Sequence, residues 1–410
     1  MKRRDFLKKT AIAGAAVSVG PALNGMAFGQ TAKSKVVIAN DPLCYANNTK
    51  NVARITDMVN HAIMTLTGQT AKAAAYEALF PKPITTATKI AIKYNESSAG
   101  SSPTITTVRD ALISGLTSML NGTYPASKIN VITSGTGGNA SGPSFSIGGT
   151  TYKIKDEIVN CDYLINLPIC WAVGSNTAGV TLSMKNNMGS VGGGALSAGI
   201  HSNYASPVKN GLAILNSQQM FKDKQVLVLI DAITLCTEAS GPAGMANAVA
   251  YSIIASKDTV AADYQGLQIL KSKGLSSDRQ AVADNILTNA ANPTYGLGTN
   301  DPNNIDIVNI SPSNWSTKVI VSGQKSENLG LQVHIDHRPG GEGFVFSLKN
   351  GQTSGVTLSL YDARGAQIWS HNSLTWNCET FSGAKASPGT YLYSIKTARE
   401  TLNGKIIIGG

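Results

Sequence analysis

Charge and histidine are scarce in this 410-residue chain: Asp, Glu, Lys and Arg make up 14% of it, and histidine occurs five times. Few histidines leave few ligands for a metal centre and few candidates for proton transfer. The five cysteines, at 44, 161, 170, 236 and 378, form no C-x-x-C pair, which argues against zinc ribbons and ferredoxin-type clusters. The first four stand beside apolar runs and read as core thiols, which pack like small hydrophobes. A disulfide formed after export is the alternative, with Cys378 left over. No G-x-S-x-G marks a nucleophile elbow, and neither G-x-G-x-x-G nor G-x-x-x-x-G-K-[ST] offers a phosphate cradle. No apolar run reaches the roughly 18 residues needed to span a bilayer.

What charge there is gathers at the start. The formal net charge is +10, but the first 29 residues hold five basic residues and one acid, and the rest of the chain carries +6 without a basic block. A nucleic-acid partner is therefore not expected. Lys2-Arg3-Arg4-Asp5-Phe6-Leu7-Lys8 resembles the twin-arginine export consensus, followed by a mild apolar run at 11–19 and small residues before 30. The expectation is a signal peptide over 1–29, with the twin-arginine translocase as partner. The mature protein would be periplasmic, cell-surface or extracellular. That route often carries proteins loaded with a metal or organic cofactor, although no motif here identifies one.

Hydrophobic residues make up 42% of the chain, enough for two cores at this length. Strand-like runs at 35–39, 89–94, 128–133, 163–165, 225–230, 251–255 and 305–310 alternate with helical spacing at 49–66, 104–120, 180–188, 260–270 and 277–290. Gly148-Gly149 centres a hairpin at 145–154. The alternation predicts an α/β domain over 30–312, a mostly parallel sheet flanked by helices. Several runs end on Asp41, Asn95, Asn166, Asp231 and Asp258. In a parallel sheet those ends share one edge, where open α/β folds place ligands. Asn and Asp also cap helices and start turns whatever the function, so the pattern supports both readings.

The stretch 162–189, DYLINLPICWAVGSNTAGVTLSMKNNMG, carries the densest chemistry. Lys185 can act as a base, hold an anion, or form a Schiff base if desolvated; an amphipathic surface lysine is the plain alternative. Asn186 and Asn187 beside it can orient a substrate without adding charge. His201, after the glycine-rich run 190–201, is the histidine nearest this stretch in sequence. The run could present backbone N–H groups to an anion, but a loop or close crossing is favoured. His61 sits in a helical run and reads as a solvated helix residue.

Together with "LVLIDAI…GPAG…IIASKDTVAADYQG", this stretch resembles the domain of unknown function 362 family over about residues 35–310. Asp231-Ala232, Gly241-Pro242, the Ser256 to Asp263 run, Lys185-Asn186, Gly189, His201 and the Lys93 to Asn95 pattern carry the likeness. Departures occur where many members have Thr-His motifs: here Ile169-Cys170-Trp171-Ala172 and Ser101-Ser102-Pro103 stand instead. A layout like the amino-terminal domain of lactate racemase is a looser similarity. The resemblance implies Lys185, His201 and Asp231 as catalytic residues, with Asn95, Asn166, Asn186, Asn187, Gly189, Gly241 and Asp258 binding an anionic small molecule or cofactor. A redox or racemase-like reaction is one expectation; a non-catalytic exported ligand-binding or surface-attached protein is the other.

After a linker at 313–317, short alternating segments with Gly-rich turns predict a small all-β sandwich over 318–410. "TLSLYDARGAQIWS…PGTYLYSIKT" resembles immunoglobulin-like carboxyl-terminal domains of secreted bacterial proteins, including sorting tails. That resemblance implies an outer-membrane secretion system as a further partner. Trp315, Trp369, Trp376 and Tyr393 read as core rather than a sugar platform. His334 and His337 could bind a surface metal, but Arg338-Pro339 after them suggests a turn.

Overall fold

The computed structural model describes residues 33–95, 102–133, 139–193, 197–205, 208–238, 246–312, 333–337, 344–348, 356–362, 365–376, 389–397 and 401–408. The expected signal peptide, Gly241, the linker, Trp315, Arg338-Pro339 and Cys378 lie outside them. The described residues belong to the unit Ser34–Gly410, apart from Lys33.

The α/β region opens with β1 (Ser34–Asn40), whose alternation sends Val36 into one core and Val37 and Ala39 into another. Helix α1 (Val52–Thr67) starts where the Asn51 side chain accepts from the Arg54 N–H at 3.2 Å, and it ends on Gly68 in the left-handed region. Its apolar stripe, Ile55, Met58, Val59, Ala62 and Ile63, is buried. Strand β2 (Ile90–Tyr94), helix α2 (Ile105–Thr117) and strand β3 (Ile129–Ile132) follow. The expected hairpin forms as β4 (Ser144–Ile147) and β5 (Thr150–Ile154), turning on Gly148 and Gly149, both at positive φ.

Next come β6 (Tyr163–Leu167), β7 (Ile169–Ala172) and the two-residue β8 (Val180–Thr181). The helix expected over 180–188 is thus shorter: β-branched Val180 and Thr181 extend against Ala172 and Trp171, and only Ser183–Asn186 (α3) is α-helical. A 3-10 turn, Asn187–Ser190, leads into β9 (Val191–Gly192). Helices α4 (Gly211–Asn216) and α5 (Gln219–Lys224) precede the long β10 (Gln225–Cys236). Strand β11 (Ala248–Ser256), helices α6 (Thr259–Ser272) and α7 (Ser277–Ala290), and β12 (Ile305–Ile310) complete the region.

The main sheet has the order β12-β1-β11-β10-β6-β2-β3, with β7 paired to both β10 and β8. It is mixed. Strands β12–β1, β10–β6, β6–β2 and β2–β3 pair in parallel, whereas β11 runs against both β1 and β10. The sequence expectation of a mostly parallel sheet missed this reversal, because apolar periodicity carries no strand direction. Two apolar cores cover the two faces: one holds Val36, Ala91, Leu164, Cys170, Val228 and Ile230, the other Val37, Ile92, Ile165, Leu167, Leu229 and Ile253. Strands β9, β5 and β4 form a separate three-stranded sheet.

Towards the carboxyl terminus the described strands pair antiparallel in two small sheets, one of three strands and one of four. The four-stranded sheet uses Gln367–His371, Thr357–Tyr361, Gly389–Lys396 and Thr401–Ile408, close to the segments expected from alternation. Tyr393 is buried there, as expected, and Trp369 is half-buried, stacked on His371 with ring centroids 6.0 Å apart.

Candidate functional site

Strands β10, β6 and β2 are neighbours, and register sets Lys93 beside Asn166 and Asn166 beside Val228. Since Ile92 and Tyr94 pack into one core, Lys93 points to the other face, into the layer that holds α3 and α4. It is fully buried. Its Nζ donates to Tyr94 O at 3.0 Å and to Asn186 Oδ1 at 3.2 Å, both neutral acceptors. Asn186 returns Nδ2 to Lys93 O at 2.9 Å and to Asn166 Oδ1 at 2.8 Å. Asn166 donates to Ser183 O at 2.9 Å and Gln225 Oε1 at 3.1 Å, and Gln225 donates onward to Thr259 Oγ1 at 2.6 Å. A branch runs from Asn187 Nδ2 to Asn216 Oδ1 at 2.8 Å, and Asn216 binds Met184 O at 3.0 Å.

This amide seam pins α3 to the sheet. The other end of α3 is fixed by Asp263 of α6, whose carboxylate accepts from the Ser183 N–H and hydroxyl and from the Met184 N–H, at 2.5–3.0 Å. Burial pushes Asp263 up to about 6 despite these donors. Asn166, Asn186 and Asn187 thus spend their amide hydrogens inside the protein. Their part in a site is to hold the turn that carries Lys185.

Lys185 keeps part of its surface exposed, and its ammonium has no hydrogen-bond or ion-pair partner among the described residues. Burial of its surroundings lowers its pKa to about 8. It borders a small cavity of about 20 Å³ with Leu182, Met184, Leu212 and Asp263. His201 is near enough for the Lys185 charge to act on it: burial first, then Lys185, push the imidazole below its ordinary value. Two further lysines join this face, and only one of them, Lys93, drew notice in the sequence. Burial, then the charge of Lys155, lowers Lys93 to about 7. Lys155 is 3% exposed and donates its N–H to Ser190 O at 3.0 Å. Lys155 stood unremarked because a lysine after a hairpin reads as surface. The Ser190 hydroxyl and Asn187 Oδ1 are buried without a hydrogen-bond partner among the described residues.

Asp231 goes elsewhere. It is not the end of a strand, since β10 continues to Cys236, and its neighbours Ile230 and Ala232 occupy the lysine-side core. Its side chain therefore faces the opposite side of the sheet. There it accepts from Thr104 Oγ1 at 2.8 Å, Ser102 Oγ at 3.1 Å and the Ile233 N–H at 3.1 Å, and burial raises it to about 6. Asp41, paired with Arg54 at 2.8 Å, is the other buried carboxylate that, with Asp231, raises the Cys44 thiol after burial.

Asp258 also leaves the group. Because β11 is antiparallel, its end lies beside the start of β1, and Asp258 accepts from Ser34 Oγ at 2.5 Å, the Ala261 N–H at 2.8 Å and the Thr299 N–H at 3.1 Å. That is a helix cap at the far edge of the sheet. Asn95 stays at the carboxyl edge, with its N–H on Leu167 O at 3.1 Å and its amide 3.5 Å from Thr181 Oγ1. Gly189 lies in the 3-10 turn after α3. His61, expected to be solvated, is half-buried, and burial lowers it to about 4. Cys44, Cys161, Cys170 and Cys236 are buried free thiols, as the apolar runs around them suggested. Among the described residues no His, Cys, Asp and Glu cluster has the makings of a metal site.

A family model described as "Domain of unknown function (DUF362)" matches residues 135–268. That span runs from ahead of β4 into α6 and holds Asn166, Lys185, His201, Asp231 and Asp263, but not Lys93 or Asn95. No curated protein and no solved structure matches the chain.

Proposed function

We propose that the α/β region binds a small anionic molecule on the lysine-bearing face of its carboxyl edge, with Lys185 as the main contact. One observation carries this: an ammonium with a depressed pKa, on a turn fixed by buried amides and Asp263, has no carboxylate partner among the described residues. A cation taken from water without a counter-charge is costly, and an anionic ligand supplies that charge. Lys93 and Lys155 add positive potential from beneath.

Titration of the protein with inorganic phosphate, acetate and other small carboxylates tests the reading. Lys185→Ala is expected to weaken the best anion about tenfold or more, the scale of one charge-assisted contact, while leaving the melting temperature nearly unchanged. Unchanged affinity would sink the assignment. Anion affinity is also expected to fall as pH rises through about 8, where Lys185 loses its charge.

The nearness of His201 to Lys185 favours a catalytic version of this reading, in which the two groups move a proton on the bound anion, as a racemase-like enzyme would. Deuterium exchange from solvent into a bound carboxylate would support it. Binding without exchange would favour the non-catalytic ligand-binding protein. The Arg3-Arg4 pattern supports export of either, and the likeness of the carboxyl-terminal segments to sorting tails supports surface attachment.

A further inference from the structure

The small cavity beside Lys185 narrows what the bound anion can be. Its volume is about 20 Å³, room for a group or two of methyl size. Val180 and Leu182, Leu212 of α4, and Ala283, Ile286 and Leu287 of α7 supply its apolar walls. Positions 283, 286 and 287 share one face of α7 by helical spacing, and Ala283 presents only a methyl where its neighbours present longer chains.

Two polar residues reach the lining, and they differ. Asp263 is spent, since Oδ1 accepts from the Ser183 N–H and hydroxyl and Oδ2 from the Met184 N–H. Lys185 is the one lining residue that keeps part of its surface in solvent; the others are buried. An ordered water needs two to four polar partners, which aliphatic walls do not supply, so the space suits carbon better than water. Hydrocarbon placed there gains dispersion contacts with the surrounding side chains.

From this layout we propose that the ligand held at Lys185 is a short aliphatic monocarboxylate, its carboxylate on the ammonium and its alkyl end in the cavity. The assignment rests on Lys185 as the anion contact and adds the class of molecule, a singly charged chain of about three or four carbons. Phosphate satisfies the ammonium but has no carbon to place between these walls. A dicarboxylate would carry a second charge into them at a desolvation cost.

The test is calorimetry on the full chain at pH 7, where Lys185 is mostly protonated, with formate, acetate, propionate, butyrate, hexanoate and inorganic phosphate. Affinity is expected to rise about fourfold for each carbon from acetate to butyrate, the transfer free energy of one buried methylene, and to gain nothing further at hexanoate. Ala283→Val is expected to erase the advantage of butyrate over acetate while leaving acetate binding unchanged. Leu287→Ala is expected to move the optimum to hexanoate, a gain that an unfolded variant could not show. Equal affinity across the series, or phosphate bound more tightly than butyrate, overturns the monocarboxylate assignment and leaves the anion site standing. Binding of no anion, or binding that Lys185→Ala does not weaken, overturns both.

Discussion

Asp231 and Lys93 are separated by a single intervening strand, both fully buried, and their surroundings could hardly differ more. The carboxylate faces two hydroxyls and a backbone N–H, so its oxygens are met by donors from the same fold. The ammonium faces one carbonyl and one amide oxygen, with a second lysine near it. One face of the sheet thus encloses a carboxylate met by hydroxyl and N–H donors, and the other encloses an ammonium met by two neutral oxygens. That difference in partners, more than burial, is what the proposal of an anion site on the lysine face rests on.

The most damaging way to break the contrast is to remove the carboxylate that fixes the lysine-bearing turn. Asp263→Ala strands three donors of α3, and urea unfolding is expected to show a loss of about 3 kcal/mol or more. Anion binding at Lys185 should fail along with it.

A pH series sharpens the comparison next. Asp231 and Asp263 are raised in the fold to about 6, so the native state holds their protons where the unfolded chain has released them. Their contribution is fully present below about 4 and is lost as pH climbs through about 6, on the order of 3 kcal/mol for each. Asp231→Asn should flatten that slope in urea midpoints measured between pH 4 and 7; an unchanged slope would remove Asp231 from the account. Lys93 has the reverse sign. Lowered to about 7, it adds stability that is complete above the ordinary lysine range and lost as pH falls through 7. Lys93→Met is expected to shrink the rise in stability between pH 7 and 10, leaving the smaller share that belongs to Lys185.

The smallest effect belongs to the seam itself. Asn216→Ala leaves Asn187 Nδ2 with Gln225 alone and frees Met184 O, so a loss of about 1 kcal/mol is expected. Melting temperature and anion affinity together would show whether the seam positions Lys185 or only stiffens the core.

Strand positions were legible in the sequence because runs such as 225–230 and 305–310 are apolar, β-branched and bounded by turn residues. Lys185 and Asn166 were legible as polar residues set against such runs. Direction was not. A strand read from alternation looks the same either way up, and so Asp258 was assigned to the wrong edge. Nor was facing legible: Asp231 follows Ile230 just as Asn166 follows Ile165, but the alternation that turns one towards α3 turns the other away. Lys93 was invisible as a buried group, since a lysine within KIAIKY reads as the solvent side of a half-buried strand. It takes the second layer, with α3 laid over β2, to put that position inside.

The reversal of β11 has one more consequence, and it concerns time. Strand β1 takes its two neighbours from Ala248–Ser256 and Ile305–Ile310, more than 200 residues further along the chain. Until those segments exist, β1 has no partner on either side, while β2, β3 and β6 can already assemble among themselves. Pairings between such distant segments carry a loop-closure cost and slow folding. Within the described α/β region the strand earliest in sequence is therefore enclosed late, and its apolar residues wait exposed until β12 arrives.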